Sequence, residues 1–99
     1  MDDFENFRVA LESMIHAHFN AHYPRNTKPA VKLERGPKFT RIVTDDGVGR
    51  SAYGFIDNAT GALLKADGWK RPAKGARGNV LGAEPLAGCT PHGVVYAYR

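Results

Sequence analysis

Along the first part of the chain, apolar residues recur at the spacing of one helical face; further on they fall at every second position. Phe4, Phe7, Leu11, Met14, Ile15, His18, Phe19 and His22 keep the i, i+3, i+4, i+7 rhythm. That rhythm predicts an amphipathic helix over residues 3–22 with an aromatic-rich buried stripe. Asp2 or Asp3 can cap it, and Asp2, Asp3 and Glu5 stand where the helix dipole favours negative charge. Tyr23-Pro24 ends it, because the residue before a proline is driven out of the helical region. His16 falls off the stripe and is expected to be exposed.

After a polar link over 25–29 the period becomes two. Val31 and Leu33 alternate with Lys32 and Glu34, which predicts a strand over 30–34. Arg35-Gly36-Pro37 reads as a turn, and β-branched and aromatic residues resume the alternation over 38–44. A third strand, carrying Tyr53 and Phe55, is expected over 51–57, and a fourth over 62–65. Between them Asp57-Asn-Ala-Thr-Gly61 is a tight-turn sequence, with side-chain acceptors at its start and a glycine at its end. Residues 72–79 show no apolar alternation and read as a basic loop or a short helical turn started by Pro72. Gly82 to Gly93 reads as loop, and a last strand is expected over 93–98. The predicted architecture is α+β and a single domain over 1–99. One N-terminal amphipathic helix packs on an antiparallel sheet of about four to five strands, with the basic loop or short helix after the central hairpin.

Composition narrows the class. The chain has 99 residues, 42% of them hydrophobic, with a net charge of +4 and a pI near 9.5. Basic character of this kind favours acidic partners such as nucleic acid, phosphate or an acidic protein face. No apolar run approaches the roughly 18 residues of a membrane helix, and the acidic N-terminus Met-Asp-Asp-Phe-Glu is unlike a secretory signal. Cys89 is the one cysteine, so there is no intrachain disulfide. A soluble cytosolic domain without membrane partners is the expectation.

The charge is unevenly placed. Asp2, Asp3, Glu5 and Glu12 outweigh Arg8 in the helix, while Lys65, Lys70, Arg71, Lys74 and Arg77 stand against Asp67 alone in the stretch 65–79. That stretch also holds the only tryptophan, Trp69. Cations release counterions from phosphates, and an exposed indole stacks on an unpaired base. A lone Trp69 in so small a domain fits better the part of a buried plug that holds a rigid basic loop in shape. Lys65, Trp69, Lys70, Arg71, Lys74, Arg77 and Asn79 are therefore the candidate nucleic-acid-binding residues, with Tyr53 as a further stacking or anchoring group.

Other chemistry is weaker. His18 and His22 lie one helical turn apart, and Cys89-Thr-Pro-His92 offers two more ligand types. Both histidines sit on the apolar stripe and no cysteine pair supports them, so no metal and no cofactor is expected. Cys89 and His92 in a Gly/Pro loop are no recognisable nucleophile and base, and Gly75-x-x-Gly78 lacks the Gly-Lys-Ser/Thr ending of a phosphate loop. The expectation is a protein that is not an enzyme.

The run from Tyr53 to Val80 carries Phe55, Asp57, Thr60 and Gly61, then Lys65, then Trp69-Lys70, Pro72-Ala73-Lys74 and Arg77-Gly78-Asn79. It resembles small uncharacterised proteins of tailed bacteriophages that share the pattern Phe-Ile/Val-Asp-x-x-Thr-Gly, Lys, Trp-Lys-x-Pro-Ala-Lys-x-x-Arg-Gly-Asn. The resemblance covers the middle third of the chain and implies a phage protein acting in the cytoplasm of an infected bacterium. It supplies no activity. The leading expectation is a non-catalytic phage protein that binds DNA or RNA with weak sequence specificity. A rival is an accessory protein that docks the same basic surface on an acidic host protein, and a third is self-assembly through the edge of the last strand.

Overall fold

The computed structural model describes residues 3–91, 93 and 94. Helix α1 (Asp3–His22) is followed by strands β1 (Ala30–Arg35), β2 (Phe39–Asp45), β3 (Arg50–Asp57), β4 (Ala62–Ala66) and β5 (Pro72–Asn79). These five form one antiparallel meander in the order β1-β2-β3-β4-β5. Two short strands, β6 (Cys89–Thr90) and β7 (Gly93–Val94), pair with each other as a separate hairpin. The α+β architecture read from the periodicity is the one observed.

Phe4, Phe7, Leu11 and Ile15 recur once per helical turn and are all buried. They pack on Val31, Ile42, Ile56 and Leu63 from one face of the sheet, together with Tyr53, Val80 and Val94. The polar side of α1 is also engaged. Arg8, held by Glu5 at 2.7 Å, donates from Nη1 to the Val31 carbonyl at 3.1 Å, and Glu12 accepts the Val31 N–H at 2.9 Å. Both outward backbone groups of Val31 are thus taken by the helix, which blunts part of the exposed β1 edge. His16, expected in solvent, is half-buried with Nε2 2.7 Å from the Pro29 carbonyl. The apolar stripe does not show this, because the bond runs from the helix flank to the incoming link.

Two irregularities shape the sheet. The β2–β3 register shifts between Ile42 and Val43, so Tyr53 has no partner residue across the ladder. This bulge turns Tyr53 into the core, where it is buried and its hydroxyl donates to the Thr90 carbonyl at 2.6 Å and accepts the Thr90 N–H at 3.1 Å. Tyr53 is therefore the anchor of the β6–β7 hairpin and is not exposed for stacking. Next to it, a Cβ on Gly54 would fall 2.6 Å from Val94 Cγ2. Only a glycine lets β7 lie this close to the sheet.

The clearest departure concerns residues 72–79, expected as a loop or helical turn and found as the edge strand β5. Its register against β4 shifts twice, between Leu63 and Leu64 and between Leu64 and Ala66. The bulges break the two-residue period, and small residues (Ala73, Gly75, Ala76, Gly78) give no apolar alternation to read. Backbone pairing with β4, rather than a buried apolar face, defines this strand. The last strand, expected over 93–98, is seen as Gly93–Val94 paired with β6 rather than in the main sheet, and positions 95–98 lie outside the described residues.

Candidate nucleic-acid interface

The register sorts the candidate cations onto different sides. Lys65 pairs with Gly54, whose Cβ direction meets Val94, so Lys65 belongs to the face covered by the small hairpin and is half-buried. Arg77 is half-buried at a β5 bulge. Lys70, Arg71 and Lys74 are exposed at and just after the β4–β5 turn. That turn is closed by Asp67 N–H donating to the Arg71 carbonyl at 2.9 Å, with an exposed Arg71–Asp67 pair at 3.8 Å above it.

Asn79 has another task. Its amide donates to the Thr60 carbonyl at 3.0 Å and its oxygen accepts the Leu81 N–H at 2.8 Å. Gly61 sits beneath it with φ of 77°, and a Cβ there would be 2.9 Å from Asn79 Oδ1. Asn79 thus ties the β3–β4 turn to the end of β5 through both ends of its amide. Asn79→Ala is expected to lower the unfolding free energy by about 1–2 kcal/mol, the worth of two modest hydrogen bonds. Urea denaturation measures this, and oligonucleotide affinity should stay at the wild-type level.

Trp69 stands at the tip of the turn and folds back over the face of the sheet turned away from α1. Arg41 holds it twice: the guanidinium lies 4.1 Å from the ring centroid, and Nη1 donates to the Trp69 carbonyl at 3.2 Å. The Arg50 guanidinium lies 5.2 Å from the same ring. Both arginines rise from the sheet, so the indole is covered from below and keeps 36% of its surface open. It is neither the plug of the main core nor a free side chain. It is an aromatic platform clamped by cation–π contacts.

Glu34 completes the cluster. Its carboxylate accepts from Arg41 Nε at 3.0 Å and Nη2 at 2.7 Å, and from Arg50 Nη2. Hydrogen bonds from Arg41 first, then Arg50, hold its pKa below the ordinary carboxylate value. Beside the cluster runs a shallow groove of about 310 Å³. Phe39 and Phe55, 6.5 Å apart edge to face, line it, and Lys38 and Lys70 stand at its rim.

Arg41, Arg50, Lys38 and Phe39 were not among the residues singled out in the sequence. Strand alternation puts Arg41 on the face opposite Ile42, but the partner that makes this matter lies 28 positions away. A larger recess of about 620 Å³ sits elsewhere, between the end of α1, the 25–29 link and the β2–β3 tip. Its charged lining, Arg25 and Asp46, is balanced and it contains none of the candidate cations.

His18 and His22 stack with ring centroids 4.5 Å apart. His92 lies outside the described residues, and among the described residues no three His, Cys, Asp or Glu side chains converge on a metal position. Burial pushes the Cys89 thiol up to about 11, so at neutral pH it stays protonated and poorly nucleophilic. No helix among the described residues is long and apolar enough to cross a membrane.

A family model described as a family of unknown function, DUF7717, matches residues 4–92, and the chain belongs to that family. No curated protein and no solved structure matches it.

Proposed function

We propose that this member of the DUF7717 family is a non-catalytic, phage-encoded nucleic-acid-binding protein of weak sequence specificity, acting in the cytoplasm of the infected bacterium. The observation that carries the reading is the half-open Trp69 platform, clamped by Arg41 and Arg50, on a turn whose Lys70, Arg71 and Lys74 are exposed. A held indole loses little freedom when a base stacks on it, and base–aromatic stacking is worth roughly 1–3 kcal/mol whatever the base. The neighbouring cations supply the sequence-independent phosphate attraction.

Trp69 is its own reporter, since it is the only tryptophan. Titration with single-stranded oligonucleotide is expected to quench its fluorescence at low salt and to lose affinity steeply as salt rises. An emission spectrum indifferent to oligonucleotide, or binding indifferent to salt, would sink the proposal.

A further inference from the structure

One carboxylate holds two arginines on the open face of the sheet. Glu34 Oε1 accepts two hydrogen bonds from Arg41, at 2.7 and 3.0 Å, while Oε2 accepts from Arg50. The side chains of Glu34 and Arg50 are 37% and 44% exposed, and the Arg41 side chain 25%. Ion pairs this open add little to stability. What the arrangement does provide is a pair of guanidinium groups aimed at one two-oxygen anion, directly beside the platform they also clamp. Guanidinium forks of this kind fit carboxylate and phosphate alike.

We propose that Arg41 and Arg50 form a phosphate seat beside Trp69, and that Glu34 occupies it as an internal stand-in until a nucleic-acid phosphodiester displaces it. This rests on the nucleic-acid reading above and adds a gate to it. A phosphodiester carries one negative charge over two non-bridging oxygens, the same charge and valence pattern as the Glu34 carboxylate. Exchange at the seat is therefore close to balanced, and a lone anion gains little by entering. A ligand that brings an unpaired base to the adjacent indole gains the stacking as well. The seat thus selects single-stranded nucleic acid over isolated phosphate and over duplex, whose bases are already stacked.

The test is a titration of oligothymidylate followed by Trp69 fluorescence, with the full chain, Glu34→Gln, Glu84→Gln and the double variant Glu34→Gln/Arg50→Gln. Glu84 is an exposed loop residue, so its variant makes the same change in net charge away from the seat. Glu34→Gln is expected to tighten binding about tenfold, the scale of one freed charge-assisted contact. The dependence of log K on log salt should steepen by about 0.7, one added single-strand phosphate contact. Glu84→Gln should change affinity less than about twofold, and the double variant should lose the gain. If Glu34→Gln and Glu84→Gln act alike, or Glu34→Gln weakens binding, the gate is wrong while the nucleic-acid reading stands. If no variant binds the oligonucleotide, both fall together.

Discussion

Phe7→Ala is expected to cost about 3–5 kcal/mol of unfolding free energy, the range for truncating a buried aromatic that leaves a cavity. Phe7 is 1% exposed in the middle of the helix stripe that meets the sheet. A small domain has about 5–15 kcal/mol in total, so this one substitution is expected to leave much of the protein unfolded at moderate temperature. The same helix provides the control. Val9, on the opposite side of α1, is 43% exposed, and Val9→Ala should stay within about 0.5 kcal/mol. Urea denaturation of both, with unchanged m-values, is the measurement. Equal costs at the two positions would mean that the helix does not pack through the Phe4-Phe7-Leu11-Ile15 stripe.

The largest functional effect is expected from Lys70→Ala/Arg71→Ala/Lys74→Ala. These three side chains are exposed around the β4–β5 turn, and the loop closure beneath them runs through backbone groups of Asp67 and Arg71. Folding should therefore be little affected. If each cation neutralises one phosphate of a single strand, the salt slope should fall by about 2, and affinity near 0.1 M salt by about 100-fold. Fluorescence titration at several salt concentrations reads both quantities. An unchanged slope would remove these residues from the interface. Were an acidic host protein the partner instead, capture from lysate would survive nuclease treatment, and the triple variant would lose a protein rather than an oligonucleotide.

The helix and the first four strands were legible because each has one face in the core and one in water. Phe4, Phe7, Leu11 and Ile15, or Val31 with Leu33, announce their element by period alone. Even there the pattern blurs where both faces are covered. Tyr53, Gly54, Phe55 and Ile56 are buried in succession, with the bulge turning Tyr53 inward and Phe55 packing against Phe39 on the other face. Strand β5 was not legible, since an edge strand of Ala, Gly and Lys with two bulges is held by backbone pairing and carries no hydrophobic code.

The basic stretch shows the same division for function. Its charge and its tryptophan are properties of the sequence and needed no structure. Their grouping is not: Lys65 faces the small hairpin, Arg77 is half-buried, Asn79 is bound to a turn, and Lys70, Arg71 and Lys74 stay exposed around the turn that carries Trp69. The partners that hold the indole, Arg41 and Arg50, come from strands that precede it in the chain. The sequence by itself determined the secondary elements that bury one face, the α+β class and the concentration of positive charge, because periodicity and charge are local. Tertiary structure decided which cations share a surface, because strand register and bulges assign side chains to faces, and a one-residue shift moves a residue to the other side of the sheet.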